Sequence, residues 1–153
     1  MDLILWRHAD AHDDATLQHD LERALTSKGE RQAQRVARWL NRQLPASARV
    51  LVSPARRCQQ TAAALERKFK TVAELAPDCG AEALLHAARW PDAREPVLVV
   101  GHQPTLGLAA AYLLTGEPTL WPVRKAGLWW LRSREREGVL QVVLHAAVSP
   151  ELV

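Results

Sequence analysis

Three short apolar runs in this chain each end in a side chain that can handle an anion. Leu3-Ile4-Leu5-Trp6 leads into Arg7-His8, Val50-Leu51-Val52 into Ser53 and Arg56, and Val97 to Val100 into Gly101-His102. Brought together, two histidines and two or more arginines form a cationic, hydrogen-bonding pocket. The planar guanidinium is a fixed fork of donors that matches phosphate oxygens. A neutral imidazole can attack phosphorus and give a covalent intermediate that water then hydrolyses. Phosphoryl transfer asks the protein mainly for positioning and for stabilising charge on the equatorial oxygens, which such a pocket could do without a metal.

For these segments to meet, the apolar runs must be neighbouring strands. Each is short and ends in charge or turn residues, the mark of a buried strand. Between them lie helical patterns. Ala33, Val36, Ala37, Leu40 and Leu44 recur on one face after a start at Thr26 or Ser27, with Ser27 and Glu30 at capping-box spacing and Pro45 ending the run. Ser53-Pro54 reads as the cap and first turn of a helix through about Arg67. Lys70 to Ala73 reads as a short strand, Gly80 to Trp90 as a helix, and Pro104 opens an apolar helix to about Thr115. Gly127 to Leu131 and Val139 to His145 make a hairpin around Arg134 to Gly138. Strands alternating with helices predict one α/β domain over residues 1–153, a mostly parallel mixed sheet with helices on both faces. In such sheets ligands sit at the carboxyl ends of the strands, where all three reactive segments fall.

The chain has 153 residues, 20 basic against 17 acidic, a net charge of +3. This mild excess suits an anionic partner without calling for nucleic acid, and no nucleic-acid-binding motif accompanies it. Arg31, Arg35, Arg38 and Arg42 form the solvated face opposite the apolar stripe. The start has no basic segment of a signal peptide, and no apolar stretch is long enough to span a bilayer. Two cysteines, Cys58 and Cys79, make neither a disulfide framework nor a metal spacing, so a reducing cytoplasm is expected. His8, Asp10, His12 and Asp13 match no zinc motif, and no metal is expected.

Arg7-His8-Ala9, Ser53-Pro54-Ala55-Arg56 and Gly101-His102, in that order, resemble the signature of the histidine phosphatase superfamily, the phosphoglycerate-mutase-like fold. Arg7 to Ala11, Leu25-Thr26-Ser27-Lys28-Gly29, Val50 to Pro54 and Ala126-Gly127-Leu128 are similar to its SixA-type phosphohistidine phosphatase branch. The resemblance implies that His8 accepts the phosphoryl group while Arg7, Arg56 and His102 surround its oxygens, with Arg23 joining them. It implies no cofactor, and a phosphorylated protein carrying a histidine phosphotransfer domain as partner. Arg57 is expected on the solvated side of its helix, and Ser53 as a cap rather than a nucleophile. Two departures stand out. Ala9 replaces the commoner glycine, and the insertion that carries the proton-donating glutamate of larger members is short, leaving only Glu74, Asp78 and Glu82. Imidazole leaves more readily than an alkoxide, so a site without an acid suits a P–N bond. The alternatives are a small-molecule phosphomonoesterase of the same fold with Glu74 or Asp78 as acid, and a phosphate- or phosphohistidine-binding module without turnover.

Overall fold

In the computed structural model, which describes residues 1–13 and 19–153, the three apolar runs are adjacent strands. β1 (Asp2–Arg7), β2 (Arg49–Val52), β3 (Lys70–Thr71) and β4 (Val97–Gly101) run parallel, while β5 (Leu128–Arg136) runs antiparallel beside β1 and β6 (Val139–Val148) antiparallel beside β5. The sheet order is β3-β2-β4-β1-β5-β6. Arg7 pairs with Gly101 and Val52 with Val100, so the residues that follow all three strands emerge along one edge. The fold is the expected mixed α/β sheet covered on both faces. Residues 14–18, in the middle of the polar loop expected after β1, lie outside the described residues.

Alternation along the strands sorts two cores. Ile4, Trp6, Val50, Val52, Leu98 and Val100 face α1 (Ser27–Gln43) and α2 (Arg56–Ala63). Leu3, Leu5, Leu51, Val97 and Val99 face α3 (Ala81–Ala87) and α4 (Thr105–Thr115). Central strands buried on both sides carry almost no polar residue until their carboxyl ends, where the chemistry begins.

Thr26, one of the two expected caps, opens α1: its Oγ1 accepts the Gly29 N–H at 3.0 Å and donates to Asp10 Oδ2 at 2.7 Å. Several boundaries differ from the sequence reading. α2 begins after Ala55, whose N–H is taken by the Ser53 hydroxyl at 3.2 Å while that hydroxyl also meets His102. It ends at Ala63 rather than near Arg67. Glu66 turns left-handed, and Arg67 reaches back to the Leu44 and Pro45 carbonyls beyond the end of α1. The hairpin turn is the two residues Glu137 and Gly138, both with positive φ, which lengthens both strands past the expected limits.

One contact explains the glycine of the Leu25-to-Gly29 segment. A Cβ on Gly29 would stand 2.0 Å from the Asp10 carbonyl oxygen, so α1 lies directly against the backbone two residues past His8. Gly29→Ala must push that loop and helix apart. We expect a loss of about 1–3 kcal/mol, typical of overpacking, read by urea denaturation. Unchanged stability would mean that the loop yields freely.

Candidate active site

His8 follows β1 and is held from both sides by backbone: its N–H donates to the Gly101 carbonyl at 3.1 Å, and its carbonyl accepts from Ala126 N–H at 3.1 Å. Ala126 has φ 59 and is fully buried. A non-glycine residue there costs on the order of 1–2 kcal/mol, and the surrounding contacts hold it. Its carbonyl accepts the Trp6 indole N–H at 2.8 Å. Ala9, by contrast, lies outside the left-handed region and is fully buried, its N–H donating to Thr61 Oγ1 at 3.0 Å. This backbone has no need of glycine.

The imidazole's tautomer follows from its partner. His8 Nδ1 lies 2.8 Å from the Ala9 carbonyl oxygen, which can only accept. Nδ1 therefore carries the hydrogen, and Nε2 keeps a free lone pair. His102, 5.4 Å away between ring centres, is fixed the same way. Arg57 Nη2 donates to its Nδ1 at 3.3 Å, and its Nε2–H donates to Ser53 Oγ at 2.7 Å. Cys58 Sγ lies 3.5 Å from the same Nε2, and burial, against the influence of Arg57 and Ser53, pushes its thiol up to about 12.

These groups open onto a cleft of about 170 Å³ lined by Arg7, His8, Arg23, Arg57, His102 and Lys125, together with Ala11, Pro77 and Gln103. The arginines are braced from outside it. Arg7 Nη1 donates to the Val123 carbonyl at 2.9 Å. Asp20 holds two of them: Oδ2 accepts from Arg57 at 3.0 Å and Oδ1 from Arg23 at 3.0 Å. Lys125 pairs with Asp10 at 2.9 Å. The Nε atoms of Arg7 and Arg57 are buried with no hydrogen-bond partner among the described residues, donors that a multivalent oxyanion would satisfy. A larger groove of about 610 Å³ between α1 and α2 holds none of these residues and carries no such concentration of charge.

Residues 3–79 match the family model of the histidine phosphatase superfamily (branch 1). Phosphohistidine phosphatase SixA of Escherichia coli (strain K12) is 35% identical over 126 residues, 76% of each chain. The chain belongs to the histidine phosphatase superfamily. The solved structure of the protein histidine phosphatase SixA complexed with tungstate superposes over 99% of both chains, with a TM-score of 0.77 and 27% identity. A phosphoserine phosphatase from Entamoeba histolytica shares the fold, with a TM-score of 0.72 over 97% of this chain and 96% of its own at 18% identity. Membership makes this protein a phosphatase, with a SixA-type relationship across nearly its whole length.

Within that superfamily frame, the structure gathers four of the five residues singled out from the sequence: Arg7, His8, Arg23 and His102. Arg56 needs correction. It is exposed at the first turn of α2 and does not reach the cleft, whereas Arg57, expected on the solvated side, is 3% exposed and lines it. The reason is helical phase: Arg57 shares the inward face with Cys58, Thr61 and Ala62, one residue and one turn apart. Glu74, Asp78 and Glu82 are all exposed, and none lines the cleft. Asp10, once a possible metal ligand, is tied to Lys125 and Thr26. Asp20, Lys125 and Gln103 went unread, because only tertiary contacts bring them here.

The electrostatics keep the His8 imidazole uncharged. Burial disfavours the His8 imidazolium most. The Ala9 carbonyl favours it, Arg57, Arg7 and Arg23 oppose it, and the pKa falls to about 4 from the usual 6.5. His102 is brought to about 3 by burial, then Arg57 and His8. Because the folded pKa lies below the unfolded value, the unfolded chain binds more protons between them. The contribution to stability is whole above about pH 6.5 and is lost as the pH falls towards 4. NMR titration of the imidazoles should find His8 uncharged throughout the neutral range, with its midpoint near pH 4. A midpoint near 6.5 would contradict this account.

Proposed function

We propose that the protein is a metal-independent phosphohistidine phosphatase that acts through a phosphorylated His8 and takes its phosphoryl group from a histidine phosphotransfer domain. The Nε2 lone pair of His8 forms a bond to phosphorus as the P–N bond to the substrate imidazole breaks. That bond's electron pair stays on the departing nitrogen, which takes its proton from solvent. Arg7, Arg57, Arg23 and His102 hold the three phosphoryl oxygens as charge shifts between donor and acceptor. Water then attacks phosphorus, the P–N bond to His8 breaks, inorganic phosphate leaves, and the water's proton passes to solvent. Throughout, Nδ1–H stays on the Ala9 carbonyl and keeps the ring aimed.

One observation carries the choice of substrate: among the described residues no carboxylate lines the cleft. An alkoxide leaving group would forgo the roughly 10²–10⁴-fold that a general acid contributes, whereas imidazole needs less help. The short segment between β3 and α3 also leaves no long lid, so a side chain on another protein can reach His8. The SixA relationship to an E. coli phosphohistidine phosphatase supports the same reading. Among the described residues no helix is long and apolar enough to cross a membrane, and Cys58 and Cys79 are both free thiols, in keeping with a cytoplasmic signalling role.

The test compares release of phosphate from a histidine-phosphorylated phosphotransfer domain and from p-nitrophenyl phosphate, with chelator present. Faster release from the phosphohistidine protein, unaffected by chelator, is the expected outcome. Equal or faster release from the aryl ester would move the substrate class to small phosphomonoesters, and loss of activity on chelation would overturn metal independence.

A further inference from the structure

Ser53 sits where a helix cap was expected, and its hydroxyl does more than take the Ala55 N–H. It is fully buried, and its Oγ accepts two hydrogens: His102 Nε2–H at 2.7 Å and the Ala55 N–H at 3.2 Å. The direction of the first bond is forced from the other side of the ring. A guanidinium has only donors, so the 3.3 Å contact from Arg57 makes His102 Nδ1 an acceptor and puts the ring's hydrogen on Nε2. Ser53 itself is placed by backbone pairing, its N–H donating to the Val100 carbonyl at 3.1 Å, next to the strand that carries His102. The hydroxyl is therefore anchored in the sheet rather than in a loop.

We infer that Ser53 is a positioning residue for phosphoryl transfer: its buried hydroxyl accepts from Nε2–H and, together with Arg57 on the other side of the ring, holds His102 in that form and orientation, so that Nδ1 faces Arg57 and takes up a proton from solvent when a phosphoryl dianion arrives. The inference rests on the proposed reaction at His8. The groups that face His102 make the response conditional. Arg57 and the thiol of Cys58 come from α2, His8 and Arg7 from β1, and Arg23 and Asp20 from the segment before α1. The cations oppose a charge on the ring, and Asp20 favours it. A bound dianion offsets the cations and takes the Arg57 Nη2–H onto its own oxygens, which releases Nδ1 to carry a hydrogen and donate to the phosphoryl oxygens beside the guanidinium groups. A carboxylate in place of Ser53 would keep the ring charged at rest. A neutral hydroxyl leaves it uncharged until the anion is present.

The experiment is 15N NMR of the imidazoles in the whole protein, free and with saturating inorganic phosphate, for the native chain and Ser53→Ala. Native His102 should show the Nε2–H form when free and a doubly protonated ring with phosphate. Ser53→Ala should give mixed tautomers, weaken protonation by phosphate and lower kcat/KM about tenfold, the scale of one neutral hydrogen bond. Ser53→Thr, which keeps the hydroxyl, should restore the Nε2–H form. A native His102 protonated on Nδ1 when free would overturn the inference without any variant. So would a Ser53→Ala protein with unaltered tautomer and rate. If the tautomer and phosphate responses appear but phosphohistidine is not hydrolysed, the positioning role stands and the proposed reaction is what fails.

Discussion

Replacing His8 by alanine should reduce turnover to background, a loss on the order of 10⁵–10⁶-fold, as when a covalent nucleophile is removed elsewhere. The backbone around His8 is held by Gly101 and Ala126 through main-chain groups, which the substitution leaves in place. The arginines and His102 also remain, so phosphate should still bind the variant. Rapid quench with 32P-labelled phosphohistidine substrate separates the two effects. The native protein should carry an acid-labile, alkali-stable label in the first turnover, and His8→Ala should carry none while still binding phosphate. A label retained in the variant would place the nucleophile elsewhere and dismantle the mechanism.

The second large effect discriminates between neighbours. Arg57→Ala removes the guanidinium that touches His102 and Asp20 and lines the cleft. It should lower kcat/KM by roughly 10²–10³, or about 2.7–4 kcal/mol, comparable to losing a preorganised donor at another charge-stabilising site. Arg57→Lys should recover little, since an ammonium cannot span two oxygens and Asp20 together. Arg56→Ala, one residue earlier and exposed, should stay within about threefold of native, as surface substitutions do. If Arg56→Ala proved the damaging change, the phase of α2 would be misassigned.

That pair shows where the sequence could be read and where it could not. Strand ends were legible because β1, β2 and β4 are uniformly apolar until the pocket, so the polar residues that follow them announce themselves. Arg7, His8 and His102 came from that signal, and Gly29 from a motif whose physical cause is its fit against Asp10. Arg56 was chosen by its offset from Ser53, while the periodicity of Cys58, Thr61 and Ala62 already placed Arg57 inward. The helical period was present and outweighed by the motif. Other residues left no local trace. Lys125 meets Asp10 across 115 positions, and Arg7 meets Val123 across 116. Ser53 beside Pro54 satisfied every rule for a cap and does take the Ala55 N–H, but nothing local announced its contact with His102.

Cys58 carries a practical consequence. Thiols react with alkylators and peroxides as thiolates, and a pKa pushed up to about 12 leaves only about one molecule in 10⁵ ionised at neutral pH. A sulfur atom therefore lies within 3.5 Å of His102 in a site rich in positive charge, yet it should be chemically silent. Oxidative stress and iodoacetamide, which silence phosphatases built on a cysteine nucleophile, should leave the chemistry of this cleft untouched at Cys58, so the phosphatase should keep working in an oxidised cell.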